Sequence, residues 1–323
     1  MPTDSATLRL CMRTQAELLF LYTVDYSKRP IDYKDQISIL QGRGLIIDNI
    51  PYAYEQLGII SYFRLAGYWR PMEADKNTHI FKSGSTFENA LSLYYFDKQL
   101  RALLFSVIQS IEIALRTKMI HHVSMKYGAF WFTDSALSFN HTLFSTNLLH
   151  VKAEIARSRE DFIQDHFSKY TSPDVPPAWK ALEVVSFGTL SKLYFNLNDN
   201  DIKKIIASEF HLPHRKFLDS WIKSMAVLRN IIAHHARLWN RNFPNIPLLP
   251  RHLPSRWIDT YGLATQKLYP QLCVLAYLEN AIHPANSFVE ELKRLLSKYP
   301  NVDVAAMGFP PDWELQPLWA ISD

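Results

Sequence analysis

The sequence predicts a mainly α-helical protein with a large hydrophobic core. Long apolar stretches recur with the helical period of about 3.6 residues. The chain has 323 residues, of which 48% are hydrophobic and 20% charged, the composition of an ordinary globular protein. Alternation typical of strands is confined to short stretches near residues 46–50 and 79–81. A helical bundle with accessory helices and loops is therefore expected.

Apolar periodicity and helix-breaking residues predict the elements in order. Residues 72–86 are polar, contain glycine and favour a loop. Four prolines make residues 242–254 irregular. Helices are predicted at residues 94–123, 157–167, 182–196, 201–210, 218–240, 269–282 and 287–298. We expect an N-terminal appendage over residues 1–30 and one helical domain over residues 31–323, with its C-terminal helical segment at about residues 255–323.

Composition and charge exclude some functional classes and leave others open. The net charge of +4 and the isoelectric point near 8.8 are compatible with a nucleic-acid partner but do not require one. Cys11 and Cys273 are too few for a disulfide scaffold and have no metal-ligand neighbours, which fits a reducing cytoplasm. The apolar run at residues 18–22 is too short to span a membrane. We expect no metal, no cofactor and no membrane association.

Residues 229–241 carry the densest chemistry, with an arginine, four residues, and then two histidines. On a helix, Arg229 falls inside a wide apolar arc, so its guanidinium needs a carboxylate or must reach a cleft. Asn230, His234 and Arg237 share another face, beside a second and narrower apolar stripe. Two apolar stripes on one helix predict two packing partners: the core, and a second copy of the protein in a homodimer.

The helix predicted at residues 94–123 offers the carboxylates. Asp97 with Arg101, and Glu112 with Arg116, are pairs four positions apart on a core-facing stripe. Asp97 or Glu112 is expected to approach Arg229 or the His234 site. The alternative is that these pairs only neutralise each other at the rim of the core.

The pattern Leu-Arg, four residues, His-His occurs twice, at residues 115–122 and 228–235. The first copy lacks the asparagine and the later Arg-Leu-Trp-Asn-Arg segment. A second catalytic motif and a chance repeat are both open, and chance is favoured.

Residues 62–70 interleave aromatic and cationic side chains, as a surface that stacks on RNA bases would. The competing interpretation is a core turn held by Gly58 and Gly67, with exposed arginines. Core packing is favoured for the aromatics, and RNA contact for Arg64 and Arg70. Lysines and basic residues at 203–204 and 214–216 are expected on the solvated surface.

A series of motifs in fixed order resembles one bacterial family. They lie at residues 41–45, 60–69, 96–101, 111–116, 177–179, 186–191, 229–241 and 312–319. Together they span roughly residues 32–320 and resemble the abortive-infection (Abi) family of AbiD/AbiF type, within the HEPN group of helical ribonucleases. The signature of that group is arginine, four to six residues, histidine. Alone it is a weak signal, because a charged helix satisfies it equally well.

The resemblance implies metal-independent RNA cleavage, in which the ribose 2′-OH attacks the neighbouring phosphate and leaves a cyclic phosphate. His234 would move the proton, Arg229 would stabilise charge on the phosphate, and Asn230 would orient the ring or hold a phosphate oxygen. Supporting roles are implied for His235, Arg237, Glu112 and Asp97, and RNA contacts for Arg64, Arg70, Arg116 and Arg241. Adjacent helical residues point about 100° apart, so His234 and His235 are poor joint zinc ligands.

The resemblance also implies an anti-phage toxin, normally held in check by a neutralising partner. Relatives of the family occur beside structured noncoding RNAs, so a bound RNA partner is expected. The alternative from another class is a protein that binds RNA in the same fold and cuts little or nothing. A third interpretation is a protein-interaction scaffold with an inactive site.

Overall fold

The computed structural model describes residues 27–320 and is mainly α-helical, as the sequence predicts. Within those residues it contains twelve α-helices and one two-stranded sheet. Cys11 and the apolar run at residues 18–22 lie outside the described part. No helix between residues 27 and 320 is long and apolar enough to cross a membrane. The described chain divides into two compact units.

The first unit contains residues 27–64 and Met72–Phe87. Helix α1 (Tyr33–Gly42) and helix α2 (Ile50–Ile60) pack together, and their N-termini are capped by the side chains of Asp32 and Asn49. Strands β1 (Glu73–Asp75) and β2 (Ile80–Phe81) form an antiparallel hairpin. The strand predicted near residues 79–81 is thus confirmed.

Two predictions for this unit are corrected. The predicted loop at residues 72–86 contains the hairpin, whose tip is held by Asp75 through the hydroxyl of Thr78 and the N–H of Asn77. Residues 46–50 form no strand. Ile46 makes a single parallel bridge to Thr86, and α2 already begins at Ile50.

The second unit contains Leu65–Pro71 and the described residues from Glu88 onward. Helix α3 (Tyr62–Trp69) begins in the first unit and ends in the second. The remaining helices follow in order: α4 (Phe87–Tyr127), α5 (His141–Arg157), α6 (Asp161–Lys169), α7 (Ala178–Ala181), α8 (Phe187–Asn196), α9 (Asn200–Glu209), α10 (Arg215–Ala233), α11 (Tyr269–Ile282) and α12 (Phe288–Lys298).

Helix α11 lies in the core of this unit, since every residue from Tyr269 to Glu279 is buried. A helix that is buried on all sides must be covered by neighbours. Helices α10 and α12 both contact it. Helix α10 buries a stripe that includes Leu218, Trp221 and Leu228, as its period predicts.

Seven helices are predicted where the described residues contain twelve, and most of the seven differ from the structure at their ends. The helix at residues 269–282 is confirmed, and those at 287–298 and 201–210 are right to within a residue. The long helix predicted at 94–123 extends to Phe87 and Tyr127. The prediction at 157–167 is wrong at its start, because α5 ends at Arg157 and α6 begins at Asp161. The helix at 182–196 begins at Phe187, where Ser186 caps it.

The surface prediction for Lys203 is also wrong. Its side chain is buried, and its ammonium group donates to the carbonyl of Phe195 at 3.2 Å while lying over the ring of Tyr194. Its neighbour Lys204 is exposed and pairs with Asp201, as expected of a solvated residue.

Candidate functional site

The motif lies where helix α10 ends, not in a helix that continues to residue 240. The helix stops at Ala233, and His234 is its C-cap. His235 has a φ of 55°, the left-handed conformation that usually selects glycine. Its N–H donates to the carbonyl of Ile232 at 2.9 Å, and the N–H of Ala236 donates to that of Ile231 at 3.0 Å. This pair of bonds is the Schellman motif, with histidine in the glycine position.

The predicted helical face is therefore corrected beyond Ala233. A continuous helix would give Ala236, Arg237 and Trp239 fixed directions, but residues 236–239 leave α10 as extended chain and turn. Leu238 and Trp239 are buried by this departure and not by a helical stripe. Arg237 consequently does not share a helical face with Asn230 and His234.

The three predicted catalytic residues lie at the exposed end of α10. Asn230 and His234 are exposed and one helical turn apart, and Arg229 is partly exposed. Among the described residues, the Arg229 side chain makes no hydrogen bond or ion pair. The expected carboxylate partner is thus not present within residues 27–320, and the guanidinium reaches solvent instead. Together these residues place a proton-transfer group, an amide and a solvent-accessible guanidinium at one helix end.

A buried carboxylate fixes the chain just after this end. Both oxygens of Asp97, on α4, accept the N–H of Leu238 at 3.1 Å, and Oδ1 accepts the N–H of Trp239 at 2.7 Å. The same carboxylate accepts the Tyr68 hydroxyl at 2.8 Å and forms an ion pair with Arg101. Asp97 therefore anchors the backbone that follows the motif. The expected approach of Asp97 to Arg229 or His234 is replaced by its contacts with residues 238–239.

Burial sets the electrostatics of this anchor. Loss of solvent raises the pKa of Asp97, although Arg101, Tyr68 and the two backbone donors oppose the shift. Loss of solvent, helped by the nearby Asp97 charge, also raises the pKa of the Tyr68 hydroxyl above its usual range. Arg101 has a further contact to the carbonyl of Ala236 at 3.5 Å. The anchor thus holds residues 236–239 as one piece.

The two arginines after the motif are involved in local structure. Arg237 donates to the carbonyls of Trp239 and Asn240, the latter at 2.9 Å, and desolvation lowers its pKa. The Arg237 side chain packs beside Gly67 on α3, where a Cβ would lie 3.4 Å from it, an ordinary van der Waals contact. Arg241 donates to the carbonyl of Arg237 at 3.4 Å, and its Nε has no acceptor among the described residues.

Glu112 and Arg116 pair with each other, as the alternative interpretation held. Their side chains are 2.8 Å apart, and Arg116 also donates to the carbonyl of Val185 at 2.9 Å. Arg116 is buried, which leaves little of it exposed for the predicted RNA contact. In the same repeat, His122 lies 2.8 Å from Glu209.

The aromatics of residues 62–70 divide between core and surface. Tyr68 and Trp69 are buried, which agrees with core packing. Phe63, in the first unit, is 88% exposed and packs edge-to-face on Tyr62, whose hydroxyl accepts from Arg43 at 3.1 Å. Arg64 in the first unit and Arg70 in the second are both exposed, so each is accessible to a partner.

Tyr68 is the member of the Asp97 anchor that sequence reasoning missed. Its place among the interleaved aromatic and cationic side chains of residues 62–70 indicated an RNA-stacking or core residue, and no spacing rule links it to Asp97. The described residues contain no group of three or more histidine, cysteine, aspartate or glutamate side chains arranged to hold a metal ion.

Comparison with known proteins gives one match. The model of a family described as Abi-like protein matches residues 55–240, which include α4, α10 and the motif. No curated protein and no solved structure is detectably similar to the chain.

Proposed function

The chain belongs to the Abi-like protein family, which indicates a role in abortive infection, and from that premise we propose that it is a metal-independent endoribonuclease of the HEPN type. The observation that carries the proposal is the group of solvent-accessible polar side chains at the C-terminal end of α10. There, Arg229 has no ion-pair partner within the described residues and the ring of His234 is exposed one turn after Asn230. The Schellman motif and the Asp97 anchor hold this end in place.

The proposed reaction is transesterification within RNA. An imidazole exchanges protons near neutral pH, so His234 takes the proton from the 2′-OH or gives one to the departing 5′-oxygen. Arg229 donates paired hydrogen bonds to the phosphate as negative charge develops. Asn230 holds a phosphate oxygen or the ring. The products are a 2′,3′-cyclic phosphate and a 5′-hydroxyl, and no water or metal is consumed in this step.

The geometry of one helix supports a homodimeric active unit. Arg229 and His234 are five positions apart, so their side chains leave the helix in directions that differ by roughly 140°. A phosphate held by Arg229 of one chain is therefore poorly placed for His234 of the same chain. A second copy packed on this helix end brings the arginine of one copy toward the histidine of the other. Val227 and Ile231, both partly exposed, provide apolar surface beside the site.

The biological proposal follows from the family and the chemistry. An enzyme that cuts cellular RNA arrests growth, which is how abortive infection stops a phage from spreading. Such a toxin acts in the cytoplasm and must be held in check, by a neutralising partner or a bound structured RNA. Exposed Arg64 and Arg70, together with Arg241, are the proposed RNA contacts.

The test is cleavage of a synthetic RNA in the presence of a chelator. We expect a 2′,3′-cyclic phosphate product. We expect no cleavage when the nucleotide on the 5′ side of the cut is replaced by its 2′-deoxy form, because the attacking 2′-OH is then absent. His234→Ala lowers the rate by roughly 10²- to 10⁴-fold. His121→Ala, in the α4 repeat, is the matched control and keeps the parental rate. Expression of the parent and of His121→Ala is expected to arrest growth, and expression of His234→Ala is not.

Two outcomes would contradict the proposal, the first its activity and the second its site. If folded parent protein retains RNA but never cuts it, the chain is an RNA-binding protein of the same fold. If His234→Ala cuts and arrests growth as well as the parent, the assignment of the site to the end of α10 is wrong.

A further inference from the structure

A groove distant in sequence from the motif lies between the middle of α4, the C-terminal end of α11 and the start of α12. Its volume is about 600 Å³, within the range of small-molecule sites. Helix α4 contributes Leu103, Ser106, Val107 and Ser110, which share one helical face. None of its lining residues belongs to the proposed ribonuclease site.

The charge of this groove is negative. Glu279 and Glu291 line it, and the described residues of its wall include no lysine or arginine. The groove is bordered by the C-terminus of α11 and the N-terminus of α12, whose helix dipoles oppose each other, so its negative charge comes from the two glutamates. His283 is the only basic side chain on the described wall, and it pairs with Glu279.

Glu279 is the feature that points to a ligand. The residue is only 6% exposed, yet it carries an ionisable group in an otherwise apolar stretch of α11. Its Oε1 lies 3.2 Å from Nδ1 of His283, whereas its Oε2 has no donor among the described residues. Burial raises the pKa of this carboxyl group, and the His283 bond only partly opposes the shift. This oxygen has almost no accessible surface, and a buried acceptor without a donor is costly, so a donor that reaches the carboxylate as the His283 ring turns aside would stabilise it.

The rest of the wall specifies what that donor is attached to. Leu103, Val107, Ile282 and Phe288 provide apolar surface, while Ser106 and Ser110 provide hydroxyl acceptors. Glu291 lies at the exposed edge, where it accepts from Ser287. The His283 side chain is largely exposed, so its ring can turn away from Glu279 as a ligand enters. A cationic head on a short aliphatic chain matches this arrangement of one buried carboxylate, apolar walls and an acidic edge.

We propose that this groove binds an alkylammonium or guanidinium group, with Glu279 as its buried counter-ion and Leu103, Val107 and Ile282 against the aliphatic chain. The group has two possible sources, a free amine or a lysine or arginine side chain of a partner protein. Both donate N–H to a carboxylate.

Calorimetric titration of the full chain tests the proposal. The probes for the free source are 1,4-diaminobutane and agmatine, and those for the side-chain source are N-acetyl-lysine amide and N-acetyl-arginine amide. The neutral control is 1,4-butanediol. We expect saturable binding of at least one cation, none of the diol, and affinity at least about tenfold lower in Glu279→Gln, which keeps the shape but not the charge. Glu314→Gln, at an exposed position elsewhere, leaves affinity unchanged.

A second variant covers the case in which Glu279→Gln does not fold. Ser106 is exposed on the groove wall, so Ser106→Tyr obstructs the groove without entering the core. It is expected to abolish binding in a protein whose thermal unfolding matches that of the parent. Binding by diamine and agmatine alone assigns a free amine, and binding by the amino-acid amides alone assigns a partner side chain. The proposal is overturned if no cation saturates the parent at about 10 mM, or if Ser106→Tyr binds as the parent does.

Discussion

The same eight-residue pattern occurs at residues 115–122 and 228–235, and the two copies have opposite environments. The α4 copy lies inside a helix that continues to Tyr127, and its arginine, Arg116, is buried against Glu112 and the carbonyl of Val185. The α10 copy lies at a helix end, and its arginine, Arg229, has no ion-pair partner within the described residues. Identical spacing therefore gives a buried structural cluster in one place and a solvent-accessible group of side chains in the other.

The difference comes from the chain immediately after each copy. In α4 the next residue is Val123, which is fully buried and continues the core stripe of the helix. In α10 the helix ends at the Schellman motif, and the carboxylate of Asp97 then binds the N–H groups of Leu238 and Trp239. Chemical availability is thus decided by the neighbouring chain, and the repeated spacing has no fixed meaning.

Exchanging the two arginines for alanine gives the largest expected contrast. Arg229→Ala is expected to lower the RNA cleavage rate by about 10²- to 10³-fold, because it removes a positively charged hydrogen-bond donor to the phosphate. Its effect on the free energy of unfolding stays within about 0.5 kcal/mol, since the side chain reaches solvent. Arg116→Ala is expected to lower that free energy by about 3 kcal/mol and to leave cleavage per folded molecule unchanged, because Glu112 loses its buried partner.

Urea unfolding and single-turnover cleavage of both variants measure the contrast. Equal losses of cleavage in the two would mean that both copies are catalytic. Loss of stability without loss of cleavage in Arg229→Ala would make the α10 copy structural as well.

The carboxylates that hold the two copies differ in a similar way. Asp97→Asn is expected to lower the free energy of unfolding by about 3 kcal/mol, because Arg101 is left buried without a counter-charge. Glu112→Gln is expected to cost less, about 1–2 kcal/mol, since its carboxylate is partly exposed. Denaturant titration of the pair checks the order, and a larger loss in Glu112→Gln would reverse the assignment of Asp97 as the stronger anchor.

These two carboxylates also show how far the sequence is informative. Their four-residue spacing to Arg101 and Arg116 predicts both ion pairs, because neighbours on one helix are set by local geometry. Asp97 also contacts Leu238 and Trp239, which lie 141 and 142 positions later in the chain. These contacts depend on tertiary packing, and no sequence periodicity predicts them. The exposed cluster of Asn230 and His234 was predictable from helical spacing. The end of α10 was not, because histidine is an uncommon residue in the left-handed position.

Acid should weaken the surroundings of the α4 copy. Burial alone raises the pKa of Asp199, but hydrogen bonds from Lys126, the N–H of Ile202 and Tyr127 outweigh it and lower the pKa to about 2. A carboxyl group with a depressed folded-state pKa contributes stability above its unfolded value near 3.8 and loses it as pH falls through the folded value. Asp199 thus contributes about 2 kcal/mol at neutral pH, lost between about pH 5 and pH 2.

Urea unfolding of the parent and of Asp199→Asn, repeated at several pH values from 7 to 2.5, measures that contribution. The variant is expected to be less stable than the parent by about 2 kcal/mol at pH 7, with a difference that shrinks as the pH falls. Asp259→Asn, at a site away from any ion pair among the described residues, serves as the control. Parallel pH profiles for parent and Asp199→Asn would show that this carboxyl group does not have a depressed pKa.

The smallest expected effect is a change in the free energy of unfolding when the second histidine of each copy is replaced by glycine, and its sign differs between the two copies. His235→Gly is expected to raise the free energy of unfolding by about 1 kcal/mol, because glycine adopts the left-handed backbone of the Schellman motif without strain. His122→Gly, at the equivalent position of the α4 copy, is expected to lower it by about 1 kcal/mol, because glycine weakens a helix interior and the contact with Glu209 is lost. Thermal unfolding of both variants gives the two signs. A cost from His235→Gly similar to that of His122→Gly would mean that side-chain contacts of His235 outweigh its backbone strain. A gain in stability together with slower RNA cleavage would indicate that the strained backbone is retained because the His235 ring serves the reaction.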